Sequence, residues 1–148
     1  MAQTNAILRS FGIRYGYYEP SDWKQARLID PIVETYGDVL VGMYKVTFAK
    51  ENKEQLKADF LSGIVINYNN MIENILERTN CKFLASDSVT IADFILTAYI
   101  HNMLMNPLSP LHSDFQMILE NYPRFKAYIK VNQEEFSKWN SKREARPF

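Results

Sequence analysis

A chain of 148 residues, 47% of them apolar, is long enough for one domain with a real core. Its 17 basic and 17 acidic residues cancel, so net charge gives no general steering toward nucleic acid or an anionic membrane. The single Cys81 excludes an intramolecular disulfide and fits a reducing compartment.

The N-terminus lacks the basic-then-apolar order of a secretory signal, and no uncharged apolar run approaches the roughly 18 residues of a membrane span. Arg9 and Arg14, with no acid before Glu19, weakly fit a short amphipathic targeting helix. Residues 2–12 read as a helix with Ala6, Ile7, Leu8 and Phe11 as apolar surface and Gly12 as its stop. Residues 13–20 read as a connector. Its Tyr15, Tyr17 and Tyr18 either pack down on the body of the protein or serve as interface anchors.

Ser21 or Asp22 can cap the next helix, which the spacing extends to about residue 49. Its apolar face is Ala26, Ile29, Val33, Tyr36, Leu40, Met43 and Val46, spaced by three and four, with Gly37 and Tyr44 as alternatives. Pro31 lies inside and predicts a bend, while Gly37 and Gly42 predict close helix packing. The charge run at 50–55 reads as a loop or a solvated helix end. A second long helix follows over about 54–80, carrying Leu56, Phe60, Leu61, Ile64, Tyr68, Met71, Ile72, Ile75 and Leu76. Gly63 and the run Ile64-Val65-Ile66 weaken it locally. Asn67, Asn69 and Asn70 read as a solvated face.

The chain is organised around residues 83–99. Thr90 can cap a helix, and Asp93 stands three residues later, the spacing of a capping box with Asp in place of Glu or Gln. Val89 and Phe94 fall at the positions of a hydrophobic staple. From Thr90 to about Met105 the segment carries almost no charge, which predicts a buried helix at the centre of a bundle. Asn106-Pro107 to Pro110 signals a turn. A helix over about 112–120 should turn Phe115, Ile118 and Leu119 inward. Tyr122-Pro123 opens another, with Phe125, Tyr128, Ile129 and Val131 toward the core. A last piece at 133–142 presents Phe136 and Trp139, and a tail of mixed sign, 141–148, ends the chain. The prediction is an all-α bundle of six or seven helices with no strands.

Catalytic chemistry is hard to place. His101 and His112 have no Cys or acid at ligand spacing, so no metal site is expected. His101 reads as a core histidine and Cys81 as a partly buried small residue. Asp30, Asp38, Asp59 and Asp93 do not pair at short helical spacing, and no phosphate loop or nucleophile elbow occurs.

Three stretches together resemble the glutathione transferases. Leu84-Ala-Ser-Asp-Ser-Val-Thr-Ile-Ala-Asp93-Phe is similar to the start of their sixth helix. Asn121-Tyr-Pro-Arg-Phe-Lys-Ala-Tyr128 is similar to a short helix opened by an aromatic-Pro pair, and Met1 to Arg9 resembles the third helix of their thioredoxin-like half. The resemblance implies a transferase-like helical domain over 13–148, with 1–12 as the remnant of the last thioredoxin-like helix. It carries Gln3 and Thr4 over as vestigial glutathione contacts, Thr keeping the hydroxyl of the family's Gln-Ser pair. It supplies no catalytic residue, because the family's activating Tyr, Ser or Cys belongs to the earlier part of the thioredoxin-like half. No cofactor is expected, glutathione being held only if a complete first domain is supplied.

The expectation is a non-catalytic structural or assembly subunit. Other protein subunits or a second copy would cover the face that a thioredoxin-like half would otherwise protect. The alternative is a fragment of an active transferase that conjugates glutathione to electrophiles; an unrelated helical binding protein sharing the motifs is a third reading. Neither nucleic acid nor a membrane span enters. The compartment expected is intracellular, the cytoplasm by default or an organellar assembly.

Overall fold

The computed structural model describes residues 3–142, and every regular element among them is helical. Met1, Ala2 and residues 143–148 of the tail lie outside the described residues. The elements are α1 (Thr4–Tyr15), α2 (Trp23–Phe48), α3 (Lys53–Phe60), α4 (Ile66–Thr79), α5 (Ile91–Tyr99), α6 (His112–Leu119), α7 (Pro123–Glu135) and α8 (Ser137–Asn140). Two π turns join them: Leu61–Val65 links α3 to α4, and Ile100–Leu104 extends α5. Counted as continuous rods, the described residues form the predicted all-α bundle.

The first helix runs past its expected stop. Gly12 is buried within α1, and the helix ends at Gly16, whose φ of 78° is the left-handed cap glycine favours. Gly12 serves packing instead. A Cβ there would lie 2.5 Å from Ile91 Cγ2 and 2.9 Å from Tyr18 Cβ, so only hydrogen lets α1 settle on the start of α5. The expected boundary after residue 12 thus falls inside a helix that is docked on the bundle.

In α2 the Asp22 carboxylate caps the helix by accepting from the Gln25 N–H at 3.2 Å, and Pro31 is accommodated on the exposed side. Ile29, Ile32, Val33, Tyr36, Val39, Met43 and Val46 are buried. Ile32 and Val39 join the predicted face, and Tyr44 points outward. Of the two glycines expected to pack closely, Gly42 does, beneath the Phe60 ring, whereas Gly37 is exposed with open space around it. The π turn at 61–65 falls on Gly63 and the β-branched residues after it, where helix propensity is weakest.

The core closes around α5, which packs on α1, α2 and α7. Seven of its nine residues are buried. Tyr36, Tyr68, Tyr99 and Phe125 form an aromatic centre with ring centroids 5.2 to 6.5 Å apart. Two hydroxyls are satisfied inside it: Tyr68 donates to the Ile32 carbonyl and Tyr99 to Asn69 Oδ1, each at 3.0 Å. Asn69 is therefore buried between the helices, contrary to the solvated face expected, while Asn67 and Asn70 are exposed. Burial pushes the Tyr68 and Tyr99 hydroxyls well above the usual tyrosine range.

Pro123 opens α7, and Glu73 of α4 accepts from the Arg124 and Phe125 N–H groups at 3.0 and 2.8 Å. A carboxylate from another helix thus satisfies donors that the first turn leaves open. Trp139, presented by the last helical piece, is half exposed on the short α8.

Candidate functional site

Two polar centres flank the junction of α1 with the bundle. The first lies between α1 and α2. Arg9 Nη2 and Nε donate to Asp30 Oδ1 at 2.8 and 3.1 Å, and Arg9 Nη1 reaches Glu34 Oε1 at 2.6 Å. Tyr18 donates to the Asp30 carboxylate, and Asn5 Nδ2 donates to Glu34 Oε2 at 2.9 Å. Partial burial opposes the charge on Arg9, but the hydrogen bonds it donates to Asp30 and Glu34 outweigh that and hold the guanidinium protonated. The same bond to Arg9, followed by that from Asn5, holds the Glu34 carboxyl below its ordinary range. Glu34 lies four residues after Asp30, one helical turn, a pairing that sequence reading missed.

Gln3 and Thr4 lie at the start of this clamp. Gln3 is the residue before the first turn of α1, with extended backbone, and its side chain makes no capping bond. Both residues are exposed. Their amide and hydroxyl can therefore meet a polar ligand at the N-terminus of a 12-residue helix, where backbone N–H groups favour negative charge. Such a ligand would be held but not activated by them, since a thiol needs a donor or base beside the sulfur.

The second centre is buried. Asp93 is inaccessible to solvent, and four donors surround its carboxylate. Oδ1 accepts from the Leu84 N–H at 3.1 Å and the Tyr128 hydroxyl at 2.7 Å; Oδ2 accepts from the Thr90 N–H at 2.7 Å and the Thr90 hydroxyl at 2.8 Å. Around it, Thr97 donates to the Asp93 carbonyl at 2.7 Å, and Asn132 Nδ2 donates to Thr97 Oγ1 at 3.0 Å. Burial, then the neighbouring Asp93 charge, pushes the Tyr128 hydroxyl far up. With all four carboxylate positions occupied by the fold, Asp93 joins the α4–α5 loop, α5 and α7, and has no lone pair left for a substrate. The roles of Leu84, Tyr128 and Asn132 carry no local signal in the sequence.

The histidines stay apart. His101 Nε2 lies 2.7 Å from Asn140 Nδ2, tying the second π turn to α8, and His112 starts α6. Cys81 Sγ donates to the Thr79 carbonyl at 3.3 Å. Among the described residues no group of three His, Cys, Asp or Glu could hold a metal, and no helix is long and apolar enough to cross a membrane.

The surface also carries apolar and polar cavities. One of about 420 Å³ runs between α2 and α3, with Val41, Gly42, Val46, Leu56, Phe60 and Ile64 as its apolar walls. Asp38, Lys45 and Asp59 edge it. One of about 350 Å³ lies between the α3–α4 rod and α6, and a polar one of about 260 Å³ lies beside Cys81 and Arg124.

Residues 37–143 match the family described as Glutathione S-transferase, C-terminal domain. The chain belongs to that family. The match takes in the second half of α2, the α3–α4 rod, and the Thr90–Asp93 turn. Gln3, Thr4 and the Arg9 clamp precede it. The glutathione S-transferase C-terminal domain therefore accounts for the helical bundle with Asp93 at its centre.

Proposed function

We propose that this chain is a non-catalytic, transferase-like helical domain that works as a structural or assembly subunit. The observation that carries the reading is the face made by α2 and α3. Val41, Tyr44 and Phe48 recur at helical spacing on α2 and are about half exposed or more, at 51%, 47% and 66%. Val41 lines the 420 Å³ groove, whose apolar walls are suited to a protruding side chain of a neighbour. An exposed apolar stripe beside an apolar groove is the composition of a docking face. Lys45 and the acids Asp38 and Asp59 at its edge allow that neighbour to be a second copy, with charges of opposite sign meeting across a two-fold axis. Other protein subunits are the second class of partner. The only fully buried carboxylate among the described residues, Asp93, is consumed by the fold, which supports a role without chemistry.

The test is native mass spectrometry of the gently extracted protein, repeated with Val41→Asp. A stable complex with other chains or with a second copy, lost in the variant, is the expected result. A monomer at every concentration overturns the assembly reading. Glutathione-conjugating turnover by the purified chain, well above background and lost on changing Gln3, overturns the non-catalytic one.

A second reading is that the domain is the helical part of an active glutathione transferase. The exposed Gln3 amide and Thr4 hydroxyl favour it, since they lie where the resemblance puts the γ-glutamyl contacts. Recovery of the endogenous protein as a homodimer of a longer polypeptide moves this reading to first place.

A further inference from the structure

We propose that the α3–α4 rod has two helical registers, exchanged at the π turn 61–65, and that only one of them builds the α2–α3 face. The burial pattern carries this. In α4 and the turn before it, the core takes Val65, Tyr68, Ile72 and Leu76, spaced by three and four. Continued backward at α-helical spacing, that stripe reaches Leu61, then Ala58 and Glu54. It misses Phe60, which stands five positions before Val65, about 140° round an α-helix. Yet Phe60 is buried, the only such residue of α3. The π turn supplies the extra residue that brings it to the core side. The rod thus has two apolar choices: Leu56 and Phe60 with the extra residue, Ala58 and Leu61 without it.

Two contacts hold the observed register. The Phe60 ring lies against Gly42, where a Cβ would come within 2.5 and 2.7 Å of it. Lys57 Nζ reaches Asp114 Oδ2 on α6 at 2.8 Å. Other features loosen it. Gly63 is not demanded by packing, since nothing lies within 4 Å of the position its Cβ would take. Apart from Lys57 and Phe60, α3 is exposed, and so are residues 50–52 before it, which can absorb a rotation. In the second register the rod is α-helical throughout and α3 turns about 100°. Phe60 and Leu56 leave the groove beside α2. Leu61 moves toward Gly42 from the cavity it lines beside α6, and Lys57 swings away from Asp114. The Lys57–Asp114 ion pair therefore belongs to one register only.

The other π turn shows what a fixed register looks like. At Ile100–Leu104, the residues Tyr99, Ile100, Met103 and Leu104 are all buried. Rotating either half there would expose as much apolar surface as it covered, so no second choice exists. At 61–65 one partner of each pair waits on the far side. A neighbour that fills the α2–α3 groove needs Phe60 in place and so selects the π register. This consequence rests on the assembly reading; the exchange itself does not.

The experiment is NMR relaxation dispersion on the full chain, which reads exchange on the microsecond-to-millisecond scale. A minor state of about 0.1–10% should appear at residues 53–66, at Gly42 and at Asp114, and not at 99–105. Its carbon shifts should stay helical through 53–60, with those of the Phe60 ring moved to solvated values. Lys57→Gln should raise its population roughly two- to fivefold, the reach of one half-exposed ion pair. Deleting Gly63 removes the extra residue and sets Phe60 four positions before Val65. That variant should keep Phe60 at Gly42, melt no lower than the parent and show no exchange. Absence of exchange in the parent overturns the proposal, as does a minor state with unfolded shifts, which would mean that α3 only frays. Native mass spectrometry tests the consequence. The deletion variant should hold its complex to lower concentration than the parent. A complex equally stable in both overturns control of the face, whereas no complex in either overturns the assembly reading instead.

Discussion

Two carboxylate centres hold the first helix and the central helix in place, and they do it under opposite conditions. Asp93 is sealed from water and has only neutral donors: two backbone N–H groups and two hydroxyls. Asp30 and Glu34 face a full positive charge on Arg9, with side chains 38% and 56% exposed. By charge alone the second centre is the stronger. Water reverses the order, because an exposed ion pair is screened and replaceable by solvent, whereas donors stranded by the loss of Asp93 would have nowhere to turn. A salt bridge is thus the weaker tie here, and a ring of uncharged hydrogen bonds the stronger.

The sharpest way to break this ranking is Asp93→Ala. It would leave the Leu84 and Thr90 N–H groups and the Tyr128 hydroxyl buried without their acceptor. The expected loss is about 3–5 kcal/mol, more than a helix cap alone is worth. Chemical denaturation measures it, and a loss within that of an ordinary surface cap would show that the cluster readily takes up water. Gly12→Ala tests the contact between the two regions. The new methyl group would meet Ile91 and Tyr18 at distances no side chain tolerates, and both are buried. The expected cost is roughly 1–3 kcal/mol, with α1 amides losing hydrogen-exchange protection before those of α5.

Tyr128→Phe sharpens the comparison through pH. Burial and Asp93 hold the Tyr128 hydroxyl protonated in the native state beyond its ordinary value of 10.0. The raised folded value gives stability that is complete below the unfolded pKa and is lost as pH rises above it, when the unfolded chain ionises first. Tyr68 and Tyr99 act in the same sense. Tyr128→Phe should cost about 1–3 kcal/mol at neutral pH, yet lose less than the parent chain between neutral pH and the range above 10. Parallel alkaline melting curves would exclude Tyr128 as a source of that loss.

What the sequence made legible follows from range. The helices and the burial of α5 are written in local spacing and in a charge-free run. The turn at Thr90 and Asp93 needs only three residues. The partners that complete it do not: Leu84 is nine positions away and Tyr128 thirty-five, and nothing in either marks a donor aimed at Asp93. Asn69 read as solvated because its neighbours Asn67 and Asn70 are; its contact with Tyr99 exists only once α4 crosses α5. Gly12 read as a stop because glycine breaks helices and glycine also lets them touch, and only the approach of Ile91 distinguishes the two. At the clamp, Arg9 was visible as a charge, but its pairing with Asp30 and Glu34 required the antiparallel return of α2.

The smallest effect is the one that tests the water argument most directly. Arg9→Gln removes both ion pairs of the clamp and keeps a polar side chain of similar reach. Screening limits the expected loss to about 1 kcal/mol or less at neutral pH. That loss should itself depend on acid. Arg9 and Asn5 hold Glu34 below its ordinary value of 4.5, so the Glu34 contribution is present above that value and is lost as pH falls through the lower folded one. The melting curves of Arg9→Gln and the parent chain should therefore differ at neutral pH and converge as the medium becomes more acid than 4.5, while added salt narrows the gap at neutral pH. A gap as large as that of Asp93→Ala, insensitive to salt, would mean that α1 excludes water from the clamp as effectively as α5 does from Asp93, and the ranking of the two centres would fail.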